Sequence, residues 1–305
     1  MSTFLIKRLF QAVLAVWIVV TLVFVLLQVA GNPIDVLAPD DMTQLQRQDL
    51  ARSLGLDQPL HIQYGRFLTN LVQGDLGISY FSRQPAMGLV LERFPATLRL
   101  ILVALAMALT LGIPLGVWAA VNAGGPLDSA LRFMSVIGIS APTFWIGILF
   151  ILVFSVQLEW LPSSGNASWQ HYILPGFTLA LYRIAFFTRM VRSSMLDVLS
   201  QDFVRTGRSK GLSERLVTYK HAFRNALVPV ITIVGLQFGS LLSGAVVTET
   251  IFAWPGMNRL VLTAMYNLDY PIILSFAVIV ALLFAGINLI VDVLYGLIDP
   301  RVRYG

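Results

Sequence analysis

The sequence predicts an all-α integral membrane protein with six transmembrane helices and with both termini in the cytoplasm. Of its 305 residues, 57% are hydrophobic and only 12% are charged, against roughly 25% charged residues in ordinary soluble domains. Apolar runs recur that are long enough to cross a bilayer of about 30 Å. Basic residues gather in one loop and at the two ends, where the positive-inside rule places the cytoplasm.

The first domain is residues 1–30, a short basic start followed by the first span. Lys7 and Arg8 precede an uncharged run over 9–30 that is long enough to span the membrane. A signal peptide is the alternative, but the run exceeds the usual 7–15 residues of such a segment, and Gln28-Val29-Ala30 is a poor cleavage site. We interpret it as an uncleaved anchor with its N-terminus inside.

Residues 31–96 form the large extramembrane segment. It carries five arginines against seven acidic residues, a net charge of −2, so the charge rule places it outside. A short helix is predicted over 43–54, ended by Gly55. The segment is either a passive lid over the pathway or a surface that meets an extracytoplasmic partner.

The second and third spans open the core domain, residues 97–298. The second span is predicted over 100–122, with Gly112, Pro114 and Gly116 loosening its inner half. The third is predicted over 133–158 and contains Pro142. Proline inside a membrane helix is tolerated where neighbouring helices or waters satisfy the freed carbonyl, so Pro142 indicates either a pathway or a packing kink.

The fourth span, over 172–188, carries Arg183. Counted from Ile173, Arg183 lies about 15 Å into the helix, close to the bilayer midplane. An arginine facing lipid there costs at least about 2.5–3.5 kcal/mol. The hypothesis is that Arg183 lines the pathway and meets an anionic group such as a peptide carboxylate; the alternative is that it extends inward beside Arg189.

The fifth and sixth spans are predicted over 225–248 and 272–297. The fifth is rich in small residues, which allow close helix packing, and Gly239 and Ser243 join Arg183 and Pro142 as candidate pathway residues. Asp292 lies near the inner end of the sixth span. The basic tail, residues 299–305, places the C-terminus inside, as six crossings require.

The loop over 189–226 is the most charged part of the chain. From Arg189 to Arg224 it holds eight basic and three acidic residues, a net charge of +5. One short helix is predicted to run to Lys210 and to be closed by Gly211; Ser213 is predicted to cap a second. In the second, the spacing of apolar residues predicts a single face made of Leu216, Tyr219, Phe223 and Leu227. The loop is either a docking element or a solvated loop.

Other features of the sequence argue against metal binding, ATP hydrolysis and nucleic-acid binding by this chain. There are no cysteines, and the histidines, at positions 61, 171 and 221, are too far apart in sequence to indicate a clustered metal site. No GxxxxGK[ST] motif is present, so this chain has no sequence signature for ATP hydrolysis. Membrane topology explains the basic residues better than nucleic-acid binding does.

The loop resembles the cytoplasmic signature loop of ABC-importer permeases. Gly211 stands at the pattern's glycine, while Arg205-Thr206-Gly207 and His221-Ala222-Phe223-Arg224 replace its Glu-Ala-Ala and Ile-x-Leu-Pro. Those replacements are similar to the dipeptide/oligopeptide/nickel branch. The stretches 168–175, 192–199 and 235–239 resemble in particular the glutathione and dipeptide permeases of that branch. The stretches 54–68 and 74–79 resemble its extracytoplasmic segment, and 249–260 and 269–271 resemble the final outer loop of the family.

The resemblance implies a type I ABC-importer permease fold in a bacterial cytoplasmic (inner) membrane. It also implies a second permease subunit, two cytoplasmic ATPases that bind ATP and Mg, and an extracytoplasmic substrate-binding protein, with no cofactor in this chain and no enzymatic activity of its own. The residues expected to couple to the ATPases are Asp202, Arg205, Thr206, Gly207, Arg208, Lys210, Gly211, Ser213 and Glu214. The cargo stays open among peptides, glutathione and nickel chelates.

Two other classes of membrane protein fit the sequence less well. An ion-coupled secondary transporter would work without ATPases, but such proteins usually carry a mid-membrane carboxylate, and here Arg183 is the clear intramembrane charge, with Asp292 near an edge. A catalytic membrane enzyme lacks a Ser/His/Asp or HExxH grouping. An importer permease for peptides is therefore the favoured prediction.

Overall fold

The computed structural model describes residues 2–39 and 41–298, and within them every regular element is helical apart from one isolated bridge between Ile78 and Pro85. The side chains of residues 2–7, 228, 231, 232, 236 and 291–298 are outside this description. The tail at 299–305 and the side chain of Asp292 therefore lie outside the described residues. The all-α prediction is confirmed.

The helices have the following bounds: α1 Ser2–Ala30, α2 Pro33–Leu37, α3 Gln44–Leu54, α4 Leu60–Gln73, α5 Ala86–Val121, α6 Pro126–Ser140, α7 Thr143–Phe150, α8 Ile173–Leu199, α9 Asp202–Ser209, α10 Phe223–Ile251, α11 Met257–Tyr266 and α12 Tyr270–Ile298. A π-helix, Ile151–Gln157, continues α7; a 3₁₀ turn, Trp169–Tyr172, precedes α8; and a second π-helix, Leu216–Ala222, leads into α10.

Within the described residues, four helices are long and apolar enough to cross a membrane, or five spans if α6 and the helix after it are counted as one. These four lie in α1, α5, α10 and α12. Helix α8 is long enough, but its charged residues lower its mean hydropathy, and its crossing remains a prediction. A multi-pass membrane protein is confirmed, whereas the count of six spans stays a prediction.

The chain divides into two compact units. One is Met1–Pro95 with Gly256–Gly305, and the other is Ala96–Pro255. Helix α5 runs through the boundary at residues 95 and 96. The last two helices thus group with the N-terminal part of the chain rather than with the core spans.

The first unit is built around the packing of α1 against α12. The Tyr270 hydroxyl, at the start of α12, hydrogen-bonds the carbonyl of Leu27 at 2.5 Å and also contacts the carbonyl of Gly31. Phe24 of α1 stacks on Phe67 of α4 at 5.4 Å between ring centroids. This ring contact attaches α4 to α1.

The structure tests one prediction for the segment over 31–96 directly. Helix α3 begins after a Thr43 capping box and ends at Gly55 in the left-handed conformation, so the helix over 43–54 is confirmed. Beyond α4, the buried Asp269 carboxylate accepts hydrogen bonds from the Ser79 hydroxyl at 2.5 Å and the Tyr80 N–H at 3.2 Å. Burial and this carboxylate raise the pKa of the Tyr80 hydroxyl, so Tyr80 is neutral at pH 7.

The second unit is organised around α8, which packs against α6, α7 and α10. Glycines of α5 bring that helix into close approach as well: a Cβ at Gly116 would lie 2.7 Å from the Thr188 carbonyl, and one at Gly112 would lie 3.0 Å from the Ile184 carbonyl. The expectation that these glycines loosen the second span is therefore wrong. They form a small-xxx-small contact that lets two helix backbones meet.

The third predicted span is broken rather than kinked. Helix α6 ends at Ser140, α7 begins at Thr143 after Pro142, and the two axes differ by 104°. Proline disfavours the α-helical conformation of the residue before it, and Ala141 is extended, with ψ of 128°. The continuous helix over 133–158 is therefore corrected to two helices joined at Ala141-Pro142.

Candidate translocation and coupling sites

Arg183 lies in the middle of α8 and is 94% buried, with a relative exposure of 6%. Its Nη1 group donates to the Leu179 carbonyl one turn back at 3.2 Å, and its Nη2 group donates to the Ser240 hydroxyl of α10 at 3.0 Å. The guanidinium therefore points across to α10. It is directed back along α8 toward Leu179 and not toward Arg189.

The guanidinium has spare hydrogen-bonding capacity. Its Nε group is buried and has no hydrogen-bond partner, and among the described residues no carboxylate lies within 4.0 Å of it. Gly244 of α10 faces the guanidinium. A Cβ added at Gly244 would lie 3.6 Å from both terminal nitrogens of Arg183. A buried cation without a protein counter-charge suits an anionic ligand group.

The other candidate pathway residues lie on two different parts of the structure. Gly239 and Ser243 lie on α10 on either side of Ser240, and Ser243 is exposed while Gly239 is half-buried. Pro142 lies on a different element, at the α6–α7 break. The structure therefore brings Arg183 together with Ser240, a residue not singled out from the sequence beyond its membership of a small-residue run.

An ion pair nearer the C-terminal end of α8 was not predicted from the sequence. Arg192 binds Asp128 of α6 through two hydrogen bonds, Nε to Oδ1 at 2.5 Å and Nη2 to Oδ2 at 2.8 Å. The Asp128 side chain is completely buried and also accepts the Gly124 N–H at 3.0 Å. In the sequence, Asp128 stands out as an acidic residue shortly after Gly124-Gly125. However, no spacing rule connects Asp128 to Arg192.

The charged loop forms a hairpin whose first arm is α9. This arm has a buried side at Val204 and an exposed side made of Asp202, Phe203, Arg205, Thr206 and Arg208. Gly211 follows with φ of +77°, and a Cβ there would meet nothing within 4 Å. Glycine is favoured at this turn by backbone conformation rather than by space, so the predicted closure of the first helix at Gly211 is confirmed.

The second arm differs from its prediction. The helix begins at Glu214 and passes through the π-helix Leu216–Ala222 directly into α10, so no separate second helix exists. A π-helix has more residues per turn than an α-helix, which displaces the predicted face. The buried residues are Val217, Thr218, Ala222 and Ala226, whereas Tyr219 is 57% exposed.

The two arms are joined by polar and apolar contacts. Arg208 binds Glu214 through two hydrogen bonds, at 2.7 and 3.2 Å, and Gly207 faces Val217. The Ser213 hydroxyl makes no hydrogen bond in the described structure, so its predicted capping role is not supported by a contact. Of the predicted coupling residues, all except the half-buried Gly207 are exposed on this hairpin.

The described residues contain no group of three or more histidine, cysteine, aspartate or glutamate side chains able to hold a metal ion. The chemistry available is therefore that of charge and hydrogen bonding at two places. One is the buried Arg183 against α10, and the other is the exposed hairpin at 202–214.

Known proteins are similar to this chain over its full length. The chain matches two family models, "Binding-protein-dependent transport system inner membrane component" over residues 112–304 and its N-terminal counterpart over residues 1–101. It is 43% identical over 305 residues to the glutathione transport system permease protein GsiC of Escherichia coli strain K12, and 42% identical to that of Salmonella paratyphi A, with 100% of both chains covered in each case.

Solved structures agree on the fold. An inward-facing structure of the MetNI methionine ABC transporter, in its CY5 native crystal form, matches with a TM-score of 0.59 and 18% identity, covering 70% of this chain and 97% of that one. A second crystal form gives a TM-score of 0.56 at 17% identity, covering 68% and 96%. With the family matches and the full-length relatives, these findings show that the chain belongs to the inner-membrane permease components of binding-protein-dependent ABC import systems.

Proposed function

We propose that this chain is the permease subunit of an ATP-driven importer of short peptides, with glutathione the best-supported cargo. ATP and Mg would bind to separate ATPase subunits, and a second permease and an extracytoplasmic binding protein would complete the complex. The family and the full-length relatives named for glutathione transport support this assignment. The observation that carries the coupling mechanism is the run of helix that continues from Glu214 through the π-helix Leu216–Ala222 and α10, with Pro229 inside α10.

That helix joins the two sites mechanically. Its start lies in the exposed hairpin, where Arg208 holds Glu214, and its later part carries Ser240 beside Arg183. A helix transmits displacement along its axis because its backbone hydrogen bonds resist stretching. ATPase closure against α9 would therefore shift α10 relative to α8 and alter the surroundings of Arg183.

Arg183 supplies the substrate contact in this proposal. Glutathione and other peptides carry free carboxylates, and a guanidinium presents several donors to such a group. Its unused Nε group and its lack of a neighbouring carboxylate leave it available for one. Because the Leu179 carbonyl and the Ser240 hydroxyl are uncharged acceptors, a carboxylate competes effectively for the guanidinium.

The assignment is tested by isolating the complex. We would tag this chain, extract it gently from its native membrane, identify the bound proteins by mass spectrometry and measure ATP hydrolysis. We expect a second permease and Walker-motif ATPases at near-equal stoichiometry, with the ATPases lost or uncoupled on Gly211→Val and Arg208→Glu. A chain that emerges alone and transports in liposomes under an ion gradient would contradict the proposal.

A control variant tests whether loss of the ATPases is specific to the hairpin. Arg66→Glu changes an exposed arginine in α4, far along the sequence from the hairpin. It should leave ATPase recovery at the wild-type level. Equal loss of the ATPases in the Arg66 and Arg208 variants would show that the hairpin has no special role.

A further inference from the structure

A basic cavity lies in the second unit at the end of α8 that carries Arg192. It has a volume of about 400 Å³ and is lined by three arginines and by apolar side chains. Arg132 belongs to α6, and Arg189 and Arg192 belong to α8. The apolar part of the lining includes Phe133, Val136 and Ala119.

The charges of this cavity are not balanced. Asp128 pairs with Arg192, at 2.5 Å, and reaches Arg132 only at 3.7 Å. Arg189 is exposed and has no carboxylate within 4.0 Å among the described residues. One carboxylate thus faces three guanidinium groups, which leaves the cavity with a surplus of positive charge.

The cavity lies where an apolar surface gives way to a polar one. On α6, Phe133 is 64% exposed and Val136 is 55% exposed, so both are available to acyl chains. Helix α5, which contributes Ala119 to the lining, ends at Val121 and is followed by the turn Asn122-Ala123-Gly124-Gly125, where the apolar run stops. A ligand that fits needs an anionic head and an apolar tail.

We propose that this cavity binds the phosphate of an anionic phospholipid from the inner leaflet, with Arg189 as the principal contact. The leaflet assignment rests on the proposed function, which places the 189–226 loop in the cytoplasm. Basic pockets between helices on that side are suited to phospholipid headgroups. The acyl chains would lie along Phe133 and Val136, and Arg132 would supply a second contact to the phosphate.

The test uses the intact complex and phosphatidylglycerol as the probe. Complexes of wild type and of Arg189→Gln are exchanged into matched mixtures of phosphatidylglycerol and phosphatidylcholine, and bound lipid is counted by native mass spectrometry. We expect wild type to retain phosphatidylglycerol preferentially. One arginine near a charged surface corresponds to about a fivefold change in affinity, so Arg189→Gln should lower retention by about that factor.

Arg189 is chosen because its loss leaves Asp128 paired with Arg192 and therefore does not disturb the fold. Arg224→Gln is the matched control, since Arg224 is an exposed arginine at the start of α10 outside the cavity. A second variant, Val136→Trp, keeps every charge and narrows the cavity, and it should also lower retention. Arg189→Lys should retain most of the lipid.

Three results would overturn the inference: no preference for phosphatidylglycerol in wild type, equal retention by wild type and Arg189→Gln, or equal loss in the Arg189 and Arg224 variants. Competition by inorganic phosphate separates a lipid site from a soluble-anion site. Displacement of the lipid by millimolar phosphate would count against a lipid site. Recovery of the ATPases in the same preparations reports separately on the proposed function.

Discussion

Arg183 and Arg192 lie on the same helix, about two and a half turns apart, and their surroundings are opposite. Arg192 binds a fully buried carboxylate through two hydrogen bonds. Arg183 is more deeply buried and has a carbonyl and a hydroxyl as partners, with its Nε unpaired. A paired arginine joins two helices, whereas a buried arginine without a counter-charge leaves room for a ligand's charge.

The largest effect on stability is expected from breaking the paired site. Asp128→Ala leaves Arg192 without its carboxylate, and removing one partner of a buried pair typically costs about 3–5 kcal/mol. Because the Arg192 side chain is 21% exposed, we expect the lower end of that range. Thermal unfolding of the purified complex measures it.

The double variant Asp128→Ala/Arg192→Met separates the pair from its surroundings. It removes both charges, so much of the lost stability should return. A double variant as unstable as Asp128→Ala alone would show that the Arg192 pairing is not what stabilises this end of α8.

A smaller effect is expected where α5 meets α8. A valine at Gly116 would place its Cβ 2.7 Å from the Thr188 carbonyl, and overpacking of this kind typically costs about 1–3 kcal/mol. Gly124→Val is unsuitable as a control because Gly124 has φ of +82°. Ala106→Val, on the same helix at an exposed position, should shift the unfolding temperature less than Gly116→Val.

The exposed pair Arg208–Glu214 should contribute less still. Exposed ion pairs are worth about 0.2–1 kcal/mol, and the two side chains are 47% and 66% exposed. Glu214→Gln should therefore lower the unfolding free energy by less than about 1 kcal/mol while weakening ATPase coupling. A large loss of stability would mean that the hairpin serves the fold rather than docking.

The smallest effect is expected at Arg183. Replacing a buried charge that has no counter-charge by a neutral amide is close to neutral or stabilising, because it removes a desolvation cost. Arg183→Gln should unfold at or slightly above the wild-type temperature. A destabilisation as large as that of Asp128→Ala would make Arg183 a structural residue and contradict the comparison.

The sequence was most informative where a pattern is local. The apolar runs predicted α1 and α12 closely, and Gly55 and Gly211 ended the helices they were predicted to end. Each of these features depends on neighbouring residues alone. Hydropathy and the left-handed preference of glycine are therefore sufficient to find them.

The wrong predictions concern features that the residues next to them in the sequence do not determine. Whether Gly116 loosens α5 or packs against α8 depends on a helix about seventy residues away. The π-helix before α10 shifted a face that 3.6-residue spacing predicts. The hydrogen bond from Arg183 to Ser240 likewise joins residues that no spacing rule connects.

The most direct test of the central claim measures substrate discrimination. Complexes with wild type and with Arg183→Gln are reconstituted in proteoliposomes with the same binding protein, and ATP-driven uptake is compared for a peptide and its C-terminal amide. We expect Arg183→Gln to lower uptake of the free acid by at least about tenfold, the size of one charge-assisted hydrogen bond, and to change uptake of the amide little. An unchanged ratio of acid to amide uptake would contradict a carboxylate contact at Arg183.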